Sequence, residues 1–394
     1  MAEDSPIEWT DHTHNEWEGC QHAGPGCDHC YAETRNARFN GGVAVNWGPG
    51  APRRLTSEAN RRRPHRWNAQ HEAFFAEHGR RQRVFCSSLA DVFDNAVDPA
   101  WRRDLFRTIL DTPNLDWLLL TKRIGNAWQM AQNALWDSGF HPSLTRAMPD
   151  NVWIGATIVN QIEADRDIPK LMAVPARLRF LSIEPLLGPL DLSKWLDPWT
   201  CSNCNYHGSE AQSGPCMCAD CRVEAKYDDT IGSTRCPQCG KDEGTADVVG
   251  SSCPSCGSVT GWGRDYGFKF DGDRPALIDW VIAGGESGPG ARPHHPAWRD
   301  QLRDDCASAR VPFLWKQHGE FENGWAEFDA RRAQTLAIAV DGEIRRAEDL
   351  PSDAICNSNA KQWAYVHRVG KKAAGRLIDG VLHNEFPEMD TCDG

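Results

Sequence analysis

Eight cysteines between residues 201 and 256 fall into two copies of one pattern. Cys201-x2-Cys204 is followed after thirteen residues by Cys218-x2-Cys221, and Cys236-x2-Cys239 after thirteen by Cys253-x2-Cys256. Each cysteine of the second copy stands 35 residues after its counterpart in the first. Paired cysteines on tight knuckles, repeated across a short ribbon, build the closed four-thiolate cage that Zn²⁺ prefers. A repeat at fixed offset argues against chance. The spacing predicts two tandem zinc ribbons, each holding one structural Zn²⁺, with Cys216 as a surplus thiol.

Three further cysteines differ in kind. In GCQHAGPGCDHCYAE, Cys20, Cys27 and Cys30 form Cys-x6-Cys-x2-Cys with no fourth cysteine nearby. Three thiolates can hold three irons of a [4Fe–4S] cubane and leave the fourth iron open to another ligand. The alternative is a third zinc site completed by His22, His29 or a distant residue. The aromatic residue directly after the last cysteine, Tyr31, favours a cluster chelated by S-adenosylmethionine. Cys86, Cys306, Cys356 and Cys392 are scattered and read as small buried hydrophobes or inert thiols.

Sixteen cysteines behind an N-terminus, MAEDSPIEWTD, without a basic-then-apolar signal point to metal binding in a reducing cytoplasm rather than to disulfides. Hydrophobic residues at 40% and charged residues at 25% allow a real core and exclude disorder as the main state. No run approaches the length of a membrane helix. The net charge of −12 argues against a general polyanion binder. Between Arg53 and Arg83, however, nine Arg and three Glu leave a local excess of six positive charges. That stretch is either a solvated helix face or a phosphate-contacting surface.

Outside the cysteine-rich block, short apolar runs alternate with amphipathic ones. Strands are predicted at Val84–Leu89, Trp117–Thr121, Val152–Ile158, Leu178–Ile183, Trp280–Gly284 and Phe313–Lys316, with a short first strand somewhere in Ile7–Trp17. Pro99–Asp111 and His295–Ala309 read as helices between them. Apolar strands separated by helices mean a parallel sheet, and six or seven units fit an α/β fold of the full or partial TIM-barrel type. Residues 1–190 and 275–322 would form the barrel. Residues 191–274 would be the inserted zinc-ribbon module, and 323–394 a C-terminal extension. Barrel sites lie at the carboxyl ends of strands. There the sequence places Ser87, Ser88 and Asp91, Thr121, Lys122 and Arg123, Thr157 and Asn160, Ser182 and Glu184, Gly284-Gly285-Glu286, and Lys316 and Gln317.

SPIEWTDHTHNEWEGCQHAGPGCDHCYAE, WLLLTKR, NVWIGATIVNQIEADRDIPKL, RFLSIEPLLGPLDL and DWVIAGGESGPGARPHHPAWRDQLRDDC…VPFLWKQHGE resemble the phage and prophage radical-SAM-like family with the three-Cys N-terminal motif. The resemblance runs collinearly through residues 5–190 and 278–320. The cysteine block departs from the family's usual shorter form. The resemblance implies a partial TIM barrel with a [4Fe–4S] cluster on Cys20, Cys27 and Cys30. It also implies S-adenosylmethionine on the open iron, reductive cleavage to a 5′-deoxyadenosyl radical, and a reductant such as flavodoxin or ferredoxin.

Carried over, Ser87, Ser88 and Asp91 would meet the methionine amine, Thr157 and Asn160 the ribose, and the Gly284–Glu286 backbone the adenine. Lys122, Glu184 and Lys316 would be the catalytic candidates, facing the cofactor's carboxylate or the substrate. Some enzymes of this kind act in thymine hypermodification, which protects viral DNA from host nucleases alongside neighbouring base-modification enzymes. The expected substrate is therefore a modified thymine in phage DNA, rearranged from an N-linked to a C-linked glycinyl adduct. A free nucleotide, a tRNA or a peptide is the second expectation. A zinc-only nucleic-acid-binding protein is the third.

Overall fold

The computed structural model describes residues 5–139, 147–196, 278–324, 335–350 and 362–388, together with six short strands between residues 212 and 260. The chain divides into two compact units. One comprises residues 1–190, 278–303 and 312–394, and the other 191–277 and 304–311.

The first unit is built on seven strands: β1 (His12–His14), β2 (Gln82–Cys86), β3 (Leu115–Thr121), β4 (Val152–Thr157), β5 (Leu178–Ile183), β6 (Trp280–Ala283) and β7 (Phe313–Trp315). They lie side by side in chain order, and every neighbouring pair is parallel. The sheet curls into a half-barrel with helices on its outside. α1 (Tyr31–Phe39) follows the cysteine loop, α2 (Pro99–Asp111) leads into β3, α3 (Ile124–Asp137) into β4 and α4 (Gln161–Met172) into β5. α5 (Pro296–Ala309) runs between β6 and β7. The predicted strands and both predicted helices are present, with ends shifted by up to three residues. The first strand is only three residues long.

Local signals explain the helices. Asp98 caps α2 by accepting from the Ala100 N–H at 2.8 Å, with Pro99 in the first turn. Arg102, Leu105, Phe106 and Ile109 are its buried stripe, spaced as one helix face requires. Asn160 caps α4 by accepting from Glu163 N at 3.0 Å, and Glu163 Oε2 accepts from Val159 N at 3.2 Å. Together they form a close variant of a capping box.

The period of two along each strand then sorts inside from outside. Trp117 points outward, and its indole donates to Thr112 Oγ1 just past α2. Phe85, Leu118, Trp153, Leu178, Phe180, Trp280, Ile282 and Leu314 point inward and form one cluster with Trp9. Trp9 lies 4.5 Å from Phe85 on β2 and 6.5 Å from Trp280 on β6, so the curl brings strands four apart into reach of one ring. Leu120, Gly155, Phe180 and Trp280 form one cross-strand rung. A Cβ on Gly155 would sit 2.4 Å from the Phe180 ring, so the missing side chain is the slot that ring fills.

The polar C-terminal extension has a definite place. Trp315 N donates to His383 O at 3.1 Å and Glu385 N to Phe313 O at 3.2 Å, covering the β7 edge. Phe386 packs on Trp280, with centroids 5.2 Å apart, and closes the interior from below. Phe321–Asn323, Thr335–Ile338, Ile344–Arg346 and Ala364–Arg368 form a separate antiparallel sheet.

In the second unit, Lys226–Asp228, Ser233–Arg235 and Asp242–Thr245 pair as one small antiparallel sheet. Gln212–Ser213, Ser251–Ser252 and Val259–Thr260 pair as another. The second of these joins a strand lying within the first cysteine copy to one within the second copy. The expected zinc ligands Cys201, Cys204, Cys218, Cys221, Cys236, Cys239, Cys253 and Cys256 lie outside the described residues, as do Cys216, Cys356 and Cys392.

Candidate active site

The loop carrying Cys20, Cys27 and Cys30 leaves the carboxyl end of β1 and lies against the carboxyl ends of β3 to β5. Its first anchor is backbone. Gly19 bridges to Ala90, Cys20 bridges to Trp47, and Gly19 N donates to Leu89 O at 3.0 Å. Gly19 has φ +113°, and a Cβ there would lie 2.6 Å from Asn46 O, so both conformation and space demand glycine.

Further along, Gly26 packs against Val159, Lys122 and Pro185, and Gly24 against Glu163. Arg292 donates to Pro25 O at 2.9 Å and pairs with Asp28 at 2.7 Å. Gly290 rests on the His29 ring. At the end of the loop Cys30 occupies the N-cap position of α1, and the Tyr31 hydroxyl donates to Ser88 O while its ring stays largely exposed.

The electrostatics around the thiols are graded. Arg123 Nη1 approaches Cys20 Sγ at 3.6 Å, donates to the Asp91 carboxylate at 3.0 Å, and reaches Gln21 O through Nη2 at 2.7 Å. Burial, then the Asp91 charge, pushes the Cys20 thiol up to about 11, against the pull of Arg123. Burial also raises Cys30, opposed by the Glu33 and Ala32 N–H groups and by Lys122.

The three thiols are free and partly exposed. Among the described residues, no three or more His, Cys, Asp or Glu side chains gather where one metal ion could be held. A cubane spreads its thiolates over separate corners, so the set it needs differs from a single-ion site: three free thiols on one loop, with cations and N–H groups to offset their charge. Cys20, Cys27 and Cys30 fit that donor set.

The rim beneath the loop continues the inward register of the strands. Lys122, Thr157, Ser182, Glu184, Gly284 and Lys316 stand where β3 to β7 end, on the face whose lower part is aromatic. Lys122 Nζ donates to Thr157 Oγ1 at 3.4 Å. Lys316 Nζ pairs with Glu184 Oε1 at 2.9 Å. Gly284 lies between their strands; a Cβ there would approach Glu184 Oε1 to 3.1 Å and Lys316 Cβ to 3.5 Å. The peptide bond from Glu184 to Pro185 is cis.

Other expected site residues are engaged by the protein itself. Asp91 accepts from Thr121 Oγ1 at 2.7 Å, Phe93 N at 2.9 Å, Lys122 N at 3.1 Å and Arg123, so its carboxylate ties the end of β3 to the loop after β2 and holds the arginine that reaches Cys20 and Gln21. Asn160 is the α4 cap. Ser87 has left-handed φ 67°, an uncommon conformation outside glycine, and its N–H donates to His14 O. Ser88 Oγ accepts from Asn15 Nδ2 at 3.0 Å. Glu286 is buried and held by Arg292 at 2.7 and 2.8 Å, which makes it the anchor of the arginine that clamps Pro25 and Asp28. Gly285 is needed for close approach, since a Cβ would lie 2.1 Å from His318 O.

Sequence reasoning missed Arg292, Asp28 and Glu163. The strand-end pattern included Arg123 but gave it no role; Arg292 carries no local signal.

Fold and rim together define an α/β half-barrel that carries a three-cysteine loop at the carboxyl end of its strands. The chain belongs to the family described as "Protein of unknown function (DUF5131)", whose sequence model matches residues 4–387. No curated protein and no solved structure matches it. Among the described residues, no helix is long and apolar enough to cross a membrane.

Proposed function

We propose that this protein is a radical S-adenosylmethionine enzyme that rearranges a modified thymine in phage DNA. The observation that carries the reading is the seat of the Cys20–Cys30 loop over the carboxyl ends of a parallel half-barrel, above a rim holding Lys122, Glu184 and Lys316. Cys20, Cys27 and Cys30 would hold the [4Fe–4S] cluster. Reduced and with S-adenosylmethionine bound, that cluster would supply a 5′-deoxyadenosyl radical for hydrogen abstraction from carbon.

The chain's own residues do the rest. Arg123 and the Ala32 and Glu33 N–H groups offset thiolate charge. Lys122 and Lys316 present two cations to a carboxylate, either of the methionine moiety or of a glycinyl adduct. Glu184 Oε1 accepts from Lys316 Nζ and so positions that ammonium. The aromatic cluster below the rim closes the interior to water from that side, which protects a radical from quenching. The net change conserves every atom: the bond from the thymine methylene to glycine nitrogen breaks, one to the α-carbon forms, and a hydrogen moves from that carbon to nitrogen.

A free nucleotide is the second reading, and one observation favours it. Arg53, Arg54, Arg61, Arg62, Arg80 and Arg81 are ion-paired with Asp94, Glu18, Glu16, Glu58, Asp11 and Asp116, so the basic stretch is largely neutralised by the chain itself.

The test is anaerobic reconstitution. Wild-type protein is expected to bind about four irons and to release 5′-deoxyadenosine when reduced with S-adenosylmethionine; Cys27→Ala loses both. Glycinyl-thymine in DNA should keep its nucleoside mass while its chromatographic retention shifts. Reconstituted protein that takes up zinc but no iron would refute the radical reading. Active cleavage with every nucleoside unshifted would move the substrate elsewhere.

A further inference from the structure

A cleft of about 310 Å³ opens beside the cysteine loop, on the β1 side of the rim. That is at the lower end of ligand-sized pockets, ~300–1,000 Å³. Its lining includes Arg35, Arg54, Arg63, Glu18, Asn15 and Asn60. Three arginines and one glutamate are among its lining residues, which leaves that lining two positive charges in excess.

The charges are also unevenly matched. Arg35 Nη1 lies 3.3 Å from Glu18 Oε1, and Arg54 pairs with the other oxygen of the same carboxylate. Glu18 is therefore shared by two arginines. Arg63, among the described residues, has no acidic partner. This sets it apart from Arg61 and Arg62 beside it, which are bound to Glu16 and Glu58. Arginine forks match the paired oxygens of a phosphate and are weakly hydrated, so three of them around a polar cleft suit that group better than a simple metal-bound or apolar ligand.

Position adds to composition. Arg35 is five residues beyond Cys30 on α1. Asn15, on the cleft wall, donates to Ser88 Oγ at 3.0 Å and accepts from Leu89 N at 2.7 Å, on the loop that leaves β2. The cleft thus flanks the loop that would carry the cluster.

The geometry points to this cleft as the seat of one phosphate of a nucleotide substrate, with Arg63 the unneutralised cation that receives it and Arg35 and Arg54 sharing it with Glu18. The inference rests on the nucleotide reading of the mouth and deepens it. The phosphate can belong to a free nucleotide or to a DNA strand.

The experiment uses the full chain without S-adenosylmethionine or reductant. Anisotropy of a fluorescein-labelled oligothymidine is followed from 50 to 200 mM salt, with thymidine monophosphate and thymidine as competitors. Arg63→Gln is expected to weaken oligonucleotide binding about tenfold and to flatten its salt slope by about 0.7, one phosphate contact on a single strand. Arg63→Lys should recover most of the affinity, and Arg62→Gln, which lies outside the cleft lining, should change it less than about twofold. Direct calorimetric binding of the monophosphate and not of thymidine, lost in Arg63→Gln, supports the phosphate seat even if the oligonucleotide binds poorly, and assigns it to a free nucleotide. Unchanged affinity of Arg63→Gln for both probes, in a variant that melts like wild type, overturns the proposal. Iron content of wild type decides the cluster reading separately, so the two failures are distinguishable.

Discussion

The lower and upper halves of the half-barrel interior are built by the same strands in the same register, yet they are made of opposite materials. Below, Phe85, Trp153, Phe180 and Trp280 close around Trp9 and Phe386, with Arg83 stacked 3.9 Å from the Phe386 centroid. Above, two to four residues further along the same strands, stand Ser87, Lys122, Thr157, Ser182, Glu184 and Lys316. The lower half is a packed plug that gives the curl its stability; the upper half keeps charged groups in partial contact with water. One sheet can do both because the strand period carries inward-facing positions from the packed layer to the rim without any change of fold.

The most damaging change expected in the lower half is Phe180→Ala. It empties the slot at Gly155 and should cost about 3–5 kcal/mol in denaturant unfolding while iron uptake by the remaining folded protein persists. Loss of iron with stability intact would mean that the two halves are not separable.

Asp116 comes next. It faces the interior beside Arg83 on the neighbouring strand, and burial pushes its carboxyl up to about 6 although Arg81 and Arg83 pull it down. A folded pKa above the unfolded 3.8 means that ionisation destabilises the fold, so stability falls as pH rises from about 4 to 6. Asp116→Asn should remove that fall and raise stability at pH 8 by about 3 kcal/mol. A variant no more stable than wild type at pH 8 would sink the assignment.

In the upper half, Lys316→Met should reverse this pattern of effects. Turnover is expected to drop about 100-fold, with melting shifted by only a few degrees, because the ion pair with Glu184 is partly exposed. A large loss of stability with full turnover would make the pair structural.

The smallest effect concerns His294, near the ends of β6 and β7. Its ring is buried with neither nitrogen hydrogen-bonded among the described residues, and burial, then His318, pushes it down to about 3. A folded pKa below the unfolded 6.5 means that stability is lost as pH falls below that value. In the Asp116→Asn background, where the opposing slope is gone, unfolding should become easier by about 1 kcal/mol between pH 6.5 and 5.5. His294→Phe should flatten that segment; a slope that survives it belongs to another group.

Much of this was legible from local pattern. Apolar runs named six of the seven strands, and amphipathic runs named the helices at Pro99–Asp111 and in His295–Ala309. Strand-end polarity located the rim, and cysteine spacing singled out the loop above it. Those features repeat within a few residues, so one stretch of chain suffices to read them. Asp91 shows the limit of that reading. As a polar residue past a strand it looks like a ligand contact, but four donors from two segments already occupy its carboxylate.

What only tertiary structure decided is the pairing of distant groups. Arg292 reaches Asp28 across 264 positions of sequence, so nothing local marks it as the clamp of the cysteine loop. The arginines between Arg53 and Arg83 look alike as a sequence, and folding alone separates six that meet carboxylates from Arg63, which meets none among the described residues. Phe386, in a polar tail, becomes part of the core because the chain returns beneath the barrel. Period and spacing are properties of a short segment, whereas neutralisation and burial belong to whichever partners the fold delivers, and the sequence states the first without the second.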